Sequence, residues 1–315
     1  MSREPVRFHG IVTVAPQMER LFELIRRVAR TDASVLVRGE TGTGKELVAR
    51  AVHELSPRRG KPFRVVNCAT FTPELLASEL FGHVKGAFTG AVRDRQGLFR
   101  AANGGTLFLD EVAEIPMDIQ ARLLRVLQEQ SFVPLGGTEP VQVDVRVITA
   151  THRSLRREVE EGRFREDLMY RIRVVPLFLP PLREREGDVD ALVDHFVSEF
   201  NRQGFRTVTG IASDVREAIR GHAWPGNVRE LRNAIEYAFV VGEGPEITLD
   251  ELLPELRGEG PPAGSGRPGT VRELERDRIL SALRRAEGRK ARAAELLGVS
   301  RSTLWRKLRE HRLVE

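Results

Sequence analysis

The chain of 315 residues contains one cysteine, Cys68, so no disulfide can form within it. Its seven histidines show no spacing that is typical of a metal site. The first residues, MSREPVRFHG, contain no apolar signal core, and no apolar run approaches the roughly 18 residues that a membrane span needs. The sequence therefore predicts no disulfide scaffold, no histidine metal centre and no membrane partner, and we expect a cytoplasmic location.

Apolar residues make up 41% of the chain, which is enough for a sizeable core and for two or three domains. The net charge of +5 is unevenly distributed: residues 270–315 contain 13 basic and 7 acidic side chains, whereas residues 1–256 are nearly neutral. A small basic module beside a neutral body is typical of an appended nucleic-acid-binding domain, although a basic tail can also serve solubility alone.

Continuous apolar segments at residues 34–39, 105–111 and 141–151 are interpreted as strands. Stretches of helical periodicity, at 47–55 and 119–127, separate them. Strands that alternate with helices predict an α/β fold with a mainly parallel, doubly wound sheet flanked by helices.

A change of pattern near residue 180 and a linker rich in Gly, Pro and Ser divide the chain. After residue 180 the pattern is helical throughout, with one apolar stripe formed by Val189, Leu192, Val193, Phe196 and Phe200. We expect four segments: an α/β subdomain at 1–180, a helical subdomain at 181–256, the linker at 257–269 and a basic helical module at 270–315.

The segment GETGTGKE fits the pattern G-x-x-x-x-G-K and lies between a buried strand and an amphipathic helix. Its glycines let backbone N–H groups surround a phosphate at the positive end of the helix, and Lys45 supplies charge for the phosphate oxygens. An ordinary glycine-rich turn is the weaker interpretation in this context. The motif predicts an ATP site formed by Gly39, Glu40, Thr41, Gly42, Thr43, Gly44, Lys45 and Glu46.

A second apolar strand, GTLFLDE, ends in Asp110 and Glu111, which places two acids at the carboxyl edge of the sheet. Glu46 stands where a Ser or Thr hydroxyl usually binds magnesium in this motif, so that role must fall on phosphate oxygens, water and another carboxylate. We assign Asp110 to Mg²⁺, directly or through water, and Glu111 to polarising the attacking water. The alternative is a solvated strand end without chemistry.

The segment GAFTGA, residues 86–91, places Phe88 and Thr89 between two glycines. Glycines at this spacing favour a loop over a helix or strand, which leaves Phe88 at the tip with little to pack against. Such a tip is either buried by a neighbour or exposed for contact with a partner.

The basic tail predicts one helix over 271–286, followed by a short helix, a turn at Gly298 and a further helix capped by Ser300. Ala291, Ala294, Leu297, Leu304 and Leu308 are expected to face inward. An apolar helical hairpin with a charged surface is the less favoured alternative to DNA binding. Residues left free to contact the major groove of double-stranded DNA are Arg301, Ser302, Thr303, Arg306 and Lys307.

The motifs GETGTGKE, NCAT, ELFGHVKGAFTGA, GGTLFLDE, GRFREDLMYRIRVV and WPGNVREL, in this order, resemble the sigma-54 interaction domain of bacterial enhancer-binding transcription activators. The resemblance covers about residues 8–256, and the tail is similar to their Fis-type helix-turn-helix, with a dimerising first helix. It implies an AAA+ P-loop ATPase with an α-helical lid, which uses ATP and Mg²⁺ to remodel the sigma-54 RNA polymerase closed complex to the open complex. Because little precedes residue 8, we expect no attached N-terminal regulatory domain.

The resemblance also implies roles for single positions. Asn67 corresponds to the residue that holds the catalytic Glu111 until the γ-phosphate is sensed. Thr151 and His152 occupy the sensor position, where the family usually has Asn in place of His152. Arg229 matches the second sensor, in the lid. The loop that contacts sigma-54 is formed by Gly86, Ala87, Phe88, Thr89, Gly90 and Ala91, and Val84 just before it stands where Glu is common.

Arg165 and Arg171 match the arginines that enter the ATP site of a neighbouring subunit. An arginine supplied in trans requires a homo-oligomer, for which the family implies a hexameric ring. Helical phase predicts in addition that Asn227 caps a helix with Val228, Leu231, Ile235 and Phe239 inward and Arg229 on another face.

Two other functions are weighed against this one. The first is an AAA+ helicase or protein unfoldase with a DNA-binding tail, which should need aromatic pore loops. The second is a DNA-binding regulator that keeps the nucleotide fold only as a scaffold, against which the intact Lys45, Asp110 and Glu111 argue.

Overall fold

The computed structural model describes residues 4–204 and 206–258, together with Ala286, Lys290, Arg292, Ala294, Leu304, Trp305 and Leu308. The chain forms two compact units, Met1–Leu253 and Pro254–Glu315. In these described residues, no helix combines the length and the apolar character that crossing a membrane requires.

All the helices and strands with defined bounds lie in the first unit. The helices are α1 (Pro16–Ala29), α2 (Lys45–Glu54), α3 (Pro73–Phe81), α4 (Leu98–Ala101), α5 (Met117–Glu129), α6 (Leu155–Glu160), α7 (Glu166–Ile172), α8 (Asp188–Gln203), α9 (Ser213–Gly221) and α10 (Asn227–Val241). The strands are β1 (Val6–Phe8), β2 (Ile11–Thr13), β3 (Val35–Arg38), β4 (Phe63–Asn67), β5 (Gly82–His83), β6 (Arg95–Gln96), β7 (Thr106–Asp110), β8 (Ser131–Phe132), β9 (Val141–Gln142), β10 (Arg146–Thr151), β11 (Val175–Phe178), β12 (Gly210–Ile211) and β13 (Glu246–Ile247).

Five parallel strands form the central sheet in the order β11-β3-β10-β7-β4. Successive side chains of a strand point to opposite faces, and in β3 Val35 and Val37 join one buried cluster while Leu36 joins the other. Because both faces are buried, these strands read as continuous apolar runs. The predicted α/β fold with a parallel sheet is confirmed.

Helices cover both faces of the sheet. Helices α1 and α2 pack on one face around Phe22, Ile25 and Val48, and helices α3, α5 and α7 pack on the other around Leu80 and Leu123. A fully buried side chain of this size contributes roughly 1.5–3 kcal/mol of hydrophobic free energy. These two layers hold the sheet, and therefore its carboxyl edge, in a fixed geometry.

The predicted strand over residues 141–151 is wrong in its first half. Strand β10 begins only at Arg146, and β9 pairs with β8 in a separate antiparallel hairpin. Asp144 explains the break: its N–H donates to Asn103 Oδ1 at 2.8 Å, and its carbonyl accepts from Gly104 N at 2.8 Å. These bonds turn the chain before it enters the sheet.

Helices α8, α9 and α10 form the helical subdomain after residue 180. The predicted apolar stripe is confirmed on α8, where Leu192, Val193, Phe196 and Phe200 are buried and Val189 is half-buried. The subdomain is not helical throughout, since β12 and β13 form a short parallel pair.

In the second unit, Ala286, Ala294, Leu304 and Leu308 are buried, as predicted for Ala294 and the two leucines. The Lys290 ammonium lies 4.4 Å from the centre of the Trp305 ring, which is cation–π geometry. Several predictions fall outside the described residues: most of the linker, the helix over 271–285, Ala291, Leu297, Gly298, Ser300, and the proposed DNA contacts Arg301, Ser302, Thr303, Arg306 and Lys307.

Asp188, at the start of α8, joins the helical subdomain to the N-terminal hairpin. Its carboxylate accepts hydrogen bonds from the Thr13 hydroxyl at 2.8 Å, from Val14 N at 2.7 Å and from Ala15 N at 3.1 Å. The side chain is fully buried, and burial raises the pKa of Asp188 although these donors and Arg185 oppose the rise. Three donors from one segment therefore bond this one carboxylate, and Ala15 N has a second acceptor in the Thr13 hydroxyl oxygen at 3.1 Å.

We predict that Asp188→Ala lowers the free energy of unfolding by roughly 2–4 kcal/mol, because it leaves buried donors without an acceptor. Asp194→Ala on the same helix is the control, since Asp194 is exposed and pairs with the partly exposed Arg216. Removal of that exposed pair should change stability by less than about 1 kcal/mol. Urea denaturation measures both values, and equal losses would contradict this account of Asp188.

Candidate active site

The segment GETGTGKE lies where the sequence predicted it, between β3, which ends at Arg38, and α2, which begins at Lys45. Gly42 and Gly44 have φ angles of +80° and +103°, a left-handed region that favours glycine. The turn leads into the first turn of α2, where backbone N–H groups have no acceptor within the helix itself, and such a helix start attracts anions.

Lys45 is buried at this turn. Its Nζ donates to Gly39 O at 3.1 Å and to Glu111 Oε1 at 3.2 Å. The other oxygen of Glu111 accepts from His152 Nδ1 at 2.7 Å and from His152 N at 3.3 Å. The carboxyl ends of β3, β7 and β10 thus bring Lys45, Glu111 and His152 into one hydrogen-bonded cluster.

The two acids at the end of β7 differ in their electrostatics. Burial acts to raise the pKa of Glu111, but hydrogen bonds from His152 and the charge of Lys45 outweigh it, so that the pKa is lowered. Burial and the negative charge of Glu111 raise the pKa of Asp110 above its ordinary value. Neighbouring carboxyl groups whose pKa values move in opposite directions are common where acids have separate functional tasks.

Asn67 lies at the same edge but contacts a different acid from the expected one. Its Nδ2 donates to Asp110 Oδ2 at 3.4 Å, and its Oδ1 accepts from Ala69 N at 2.9 Å. The parallel register of β4 and β7 pairs Asn67 with Asp110, whereas Glu111 has φ of +52° and bonds Lys45 and His152. The expected contact between Asn67 and Glu111 is therefore wrong for this structure, in which Asn67 bonds Asp110 instead.

Two other predicted residues lie beside the loop. The Thr151 carbonyl accepts from Gly39 N at 3.3 Å, while its hydroxyl accepts from Arg153 N at 3.0 Å. Glu46 is exposed and bonds Arg50 at 3.2 Å. Thr151 thus touches the loop through its backbone, and Glu46 points to the surface of α2.

The helical subdomain lies directly against the loop through Asn227, which is fully buried and has φ of +54°. Its Nδ2 donates to Glu40 Oε2 at 3.1 Å and to Thr41 O at 3.0 Å. The predicted capping role is wrong, because α10 begins at Asn227 itself and the left-handed backbone turns the side chain toward the loop. Glu230 is the acid at this helix start, and its Oε2 accepts from Gly226 N at 2.6 Å.

Two arginines that the sequence analysis missed also bond the loop. Arg183 makes a two-pronged pair with Glu40, at 2.8 and 2.6 Å, and Arg185 donates to Thr43 O at 3.0 Å. Arg185 is buried, which lowers its pKa to about 10. No sequence pattern predicts either contact, since the segment LPPLRER indicates only the change from the α/β pattern to the helical pattern.

Arg229, which was predicted, contacts the loop through its backbone: its N–H donates to Gly42 O at 3.3 Å. Its side chain is exposed, as the helical phase predicted, with Leu231, Ile235 and Phe239 buried and Val228 half-buried. Four successive loop residues, 40 to 43, are therefore each bonded to the helical subdomain.

The GAFTGA loop connects β5 and β6. Gly86 and Gly90 have φ of +84° and +100°, and Gly86 N donates to Ala91 O at 2.8 Å, which closes the loop. Phe88 is half-buried, and its ring packs edge-on against His83 with centroids 5.0 Å apart. The expectation that Phe88 has little to pack against is corrected, whereas Thr89 is exposed.

The segment just before GAFTGA contacts a second loop, residues 133–140, between β8 and β9. Val84 N donates to Leu135 O at 3.0 Å, and Leu135 N donates to Gly82 O at 3.0 Å. Val84 and Ala87 lie so close to Gly136 that a Cβ there would be 3.2 and 2.8 Å from their side chains. The two loops are therefore in direct contact.

Arg165 and Arg171 lie apart from the Lys45 cluster. Arg165 pairs with both oxygens of Asp167 at 3.0 and 2.7 Å, and Arg171 donates twice to Leu127 O at 3.2 and 2.7 Å. Within the described part of the chain, neither arginine hydrogen bonds a residue of the phosphate loop. The fold does not bring these two predicted residues together with the others.

A cavity of about 670 Å³ opens beside the phosphate loop. Gly39, Glu40 and His152 line it from the sheet, and Leu179 and Pro180 line it from the approach to the helical subdomain. Its volume lies within the range of small-molecule sites in proteins.

Three family models match the chain in succession. Residues 11–178 match the sigma-54 interaction domain, residues 183–268 match the AAA+ ATPase lid domain, and residues 270–311 match the Fis family of bacterial regulatory proteins.

Several characterised relatives are similar over most of the chain. The regulatory protein AtoC of Escherichia coli K12 is 46% identical over 310 residues, which cover 96% of this chain and 67% of AtoC. The Nif-specific regulatory protein of Azotobacter vinelandii is 48% identical over 295 residues (92% and 56%), and NtrC of Salmonella typhimurium is 44% identical over 322 residues (94% and 69%). The chain spans between about half and two thirds of the length of such relatives.

Among solved structures, NtrX from Brucella abortus in complex with ATP is similar with a TM-score of 0.72 and 38% sequence identity. The match covers 97% of this chain and 70% of the NtrX chain. The same protein in complex with ADP matches with a TM-score of 0.73 and 37% identity.

We predict that Gly42→Ala destabilises the first unit, because the added Cβ would lie 2.1 Å from Gly226 O. The alanine would also have to adopt a left-handed backbone conformation, with φ of +80°. Gly60→Ala is a matched control, with φ of +79° and no atom within 4 Å of the new Cβ. The difference in unfolding free energy between the two variants should be roughly 1–3 kcal/mol. Thermal unfolding measures it, and equal losses would show that the loop and the helical subdomain are not in tight contact.

Proposed function

Because the chain belongs to the family of AAA+ sigma-54-dependent transcription activators, we propose that it hydrolyses ATP to remodel the closed complex of sigma-54 RNA polymerase into the open complex. The observation that carries this proposal is the Lys45–Glu111–His152 cluster beside a glycine-rich loop at the sheet edge. The ATP complex of the similar NtrX supports the choice of nucleotide.

The phosphates of ATP lie against residues 39–46, with the backbone N–H groups at the start of α2 as donors. Lys45 exchanges its bond to Glu111 for the β- and γ-phosphate oxygens. Glu111 then keeps its bonds to His152 and is free to orient and polarise the attacking water. His152 and Thr151 form the sensor position, and Asn67 acts on the same site through Asp110.

The residues present fit a magnesium ion. Asp110 offers carboxylate oxygens at the edge where the phosphates lie, and burial and the negative charge of Glu111 raise the pKa of Asp110. Asp110 would hold the ion directly or through water, together with phosphate oxygens, because Glu46 stands at the position of the usual hydroxyl but is exposed and bonds Arg50. The ion would neutralise charge on the transferring phosphoryl group.

Arg165 and Arg171 act on the ATP of a neighbouring subunit in a homo-oligomeric ring. The family implies that this ring is a hexamer. The partner of Arg165 in its own chain supports this role, since the Arg165–Asp167 pair is exposed and an exposed pair contributes little to stability. Arg229 serves as the second sensor from the lid, where its backbone already bonds Gly42.

The GAFTGA loop contacts sigma-54, with Thr89 exposed and Phe88 released from His83 when the loop rises. Residues 270–315 bind double-stranded enhancer-type DNA, through Arg301, Ser302, Thr303, Arg306 and Lys307. The match to the Fis family supports this DNA-binding module. The proposal also includes an α/β subdomain at 1–180, a helical lid at 181–256, a linker at 257–269 and the DNA-binding module at 270–315. It places the protein in the cytoplasm.

We predict that Glu111→Gln binds ATP but hydrolyses it at least about 100-fold more slowly, because the amide cannot polarise water as a carboxylate does. The control is Glu160→Gln, an exposed acid of α6. Steady-state phosphate release and nucleotide binding are measured together. An unchanged rate in Glu111→Gln would remove Glu111 from the mechanism.

We predict that Phe88→Ala and Thr89→Ala retain ATP hydrolysis and DNA binding but abolish open-complex formation, because only the contact with sigma-54 is lost. Thr207→Ala, an exposed threonine of the helical subdomain, is the control. Permanganate reactivity of the promoter reports open complexes. Normal open complexes in both variants would contradict the loop assignment and favour a helicase or unfoldase.

A further inference from the structure

The phosphate loop contains an acid of its own, Glu40, next to the site proposed for a polyanion. Hydrogen bonds from Arg183 and then Asn227, against the effect of burial, lower the pKa of Glu40 to about 2. Glu40 is therefore ionised at neutral pH. A carboxylate so close to phosphate groups would repel them unless another charge compensates it.

Arg183 provides this compensation from outside the α/β subdomain. Both prongs of its guanidinium bond the two oxygens of Glu40, the geometry that best matches a carboxylate. Arg183 lies on the segment that leads into α8. It is separated from Glu40 by 143 residues in the sequence. The charge of the loop thus depends on where the helical subdomain lies.

Asn227 fixes the same contact from the other side. Its Oδ1 accepts from Leu182 N at 2.7 Å, beside Arg183, while its Nδ2 donates to Glu40 and to Thr41 O. One buried amide therefore holds the loop, the residue before Arg183 and the start of α10. Close packing of Gly42 on Gly226 leaves little room for these three segments to move separately.

We propose that Arg183 and Asn227 are positioning residues for nucleotide: Arg183 neutralises Glu40 and Asn227 holds the phosphate loop in shape, so that lid position and phosphate binding form one linked equilibrium. The inference rests on the proposed ATP site and deepens it. Linkage is reciprocal, so nucleotide in the loop must stabilise the bonded lid to the same extent as the lid favours nucleotide.

A merely structural role makes a different prediction. The side chains of Arg183 and Glu40 are 45% and 42% exposed, and exposed pairs contribute little to stability. If the pair only held the fold together, its loss would lower the melting temperature slightly and leave nucleotide affinity unchanged. The proposal instead expects affinity to change more than stability.

The test is the effect of Arg183→Ala on the Kd for ADP, measured by calorimetry in two backgrounds. In the natural background the Kd should rise roughly three- to tenfold, because Glu40 stays charged and loses its partner. In the Glu40→Gln background the same substitution should change the Kd less than about twofold, because no charge remains to compensate.

Three further measurements separate positioning from folding. Arg183→Lys should recover part of the affinity, since an ammonium restores the charge but not the two-pronged geometry. Arg183→Ala should raise KM for ATP by a larger factor than it lowers kcat. Arg220→Ala, which removes an exposed pair with Asp190 in the helical subdomain, should leave the Kd unchanged.

The outcomes distinguish the inference from the function on which it rests. If the natural chain binds ADP and Arg183→Ala binds it equally well, the inference is overturned and the ATP site stands. An equal rise of Kd in both backgrounds also overturns it, because the effect then does not pass through Glu40. If the natural chain binds no ADP, the proposed ATP site itself is wrong.

Discussion

The bond between Lys45 and Glu111 is the contact on which the proposed chemistry depends, because it joins the phosphate loop after β3 to the acid that follows β7. Only 7% and 11% of these two side chains are exposed, so neither charge can be satisfied by water alone. A buried pair of this kind is strongly disrupted when one partner is lost. The ordered sheet, packed on both faces, keeps the two groups within reach.

His152 completes the arrangement by holding the second oxygen of Glu111. In the proposed mechanism, the carboxylate keeps this partner when Lys45 turns to phosphate. Asp110, one residue earlier, has its pKa raised by burial and by the negative charge of Glu111. The left-handed backbone of Glu111 separates the directions of the two acids, so that each has its own task.

The helical subdomain is bonded to the same loop at four successive residues, by Arg183, Asn227, Arg229 and Arg185. A change in the phosphate loop must therefore alter these bonds or move the subdomain with it. We propose that in a ring this movement connects hydrolysis at one site to the GAFTGA loop and to neighbouring subunits. The GAFTGA loop is also held at its base, because Val84 just before it donates to Leu135 in the loop between β8 and β9.

Local patterns predicted the fold and the loop, because the apolar strands, the glycines and the acids at strand ends each reflect short-range rules. The partners of these residues could not be predicted in the same way. Asn67 bonds Asp110 because of strand register, and Asn227 faces the loop because of one positive φ angle. Arg183 and Glu40 are separated by 143 residues in the sequence, and no local sequence pattern predicts a contact between them.

The central claim is that hydrolysis in this chain drives sigma-54 RNA polymerase to open the promoter. The most direct measurement is in vitro transcription from a supercoiled template with sigma-54 holoenzyme and this protein, with ATP compared with a non-hydrolysable analogue. The account predicts transcripts with ATP only. Transcripts with the analogue, or none with ATP while phosphate is released at a normal rate, would contradict it.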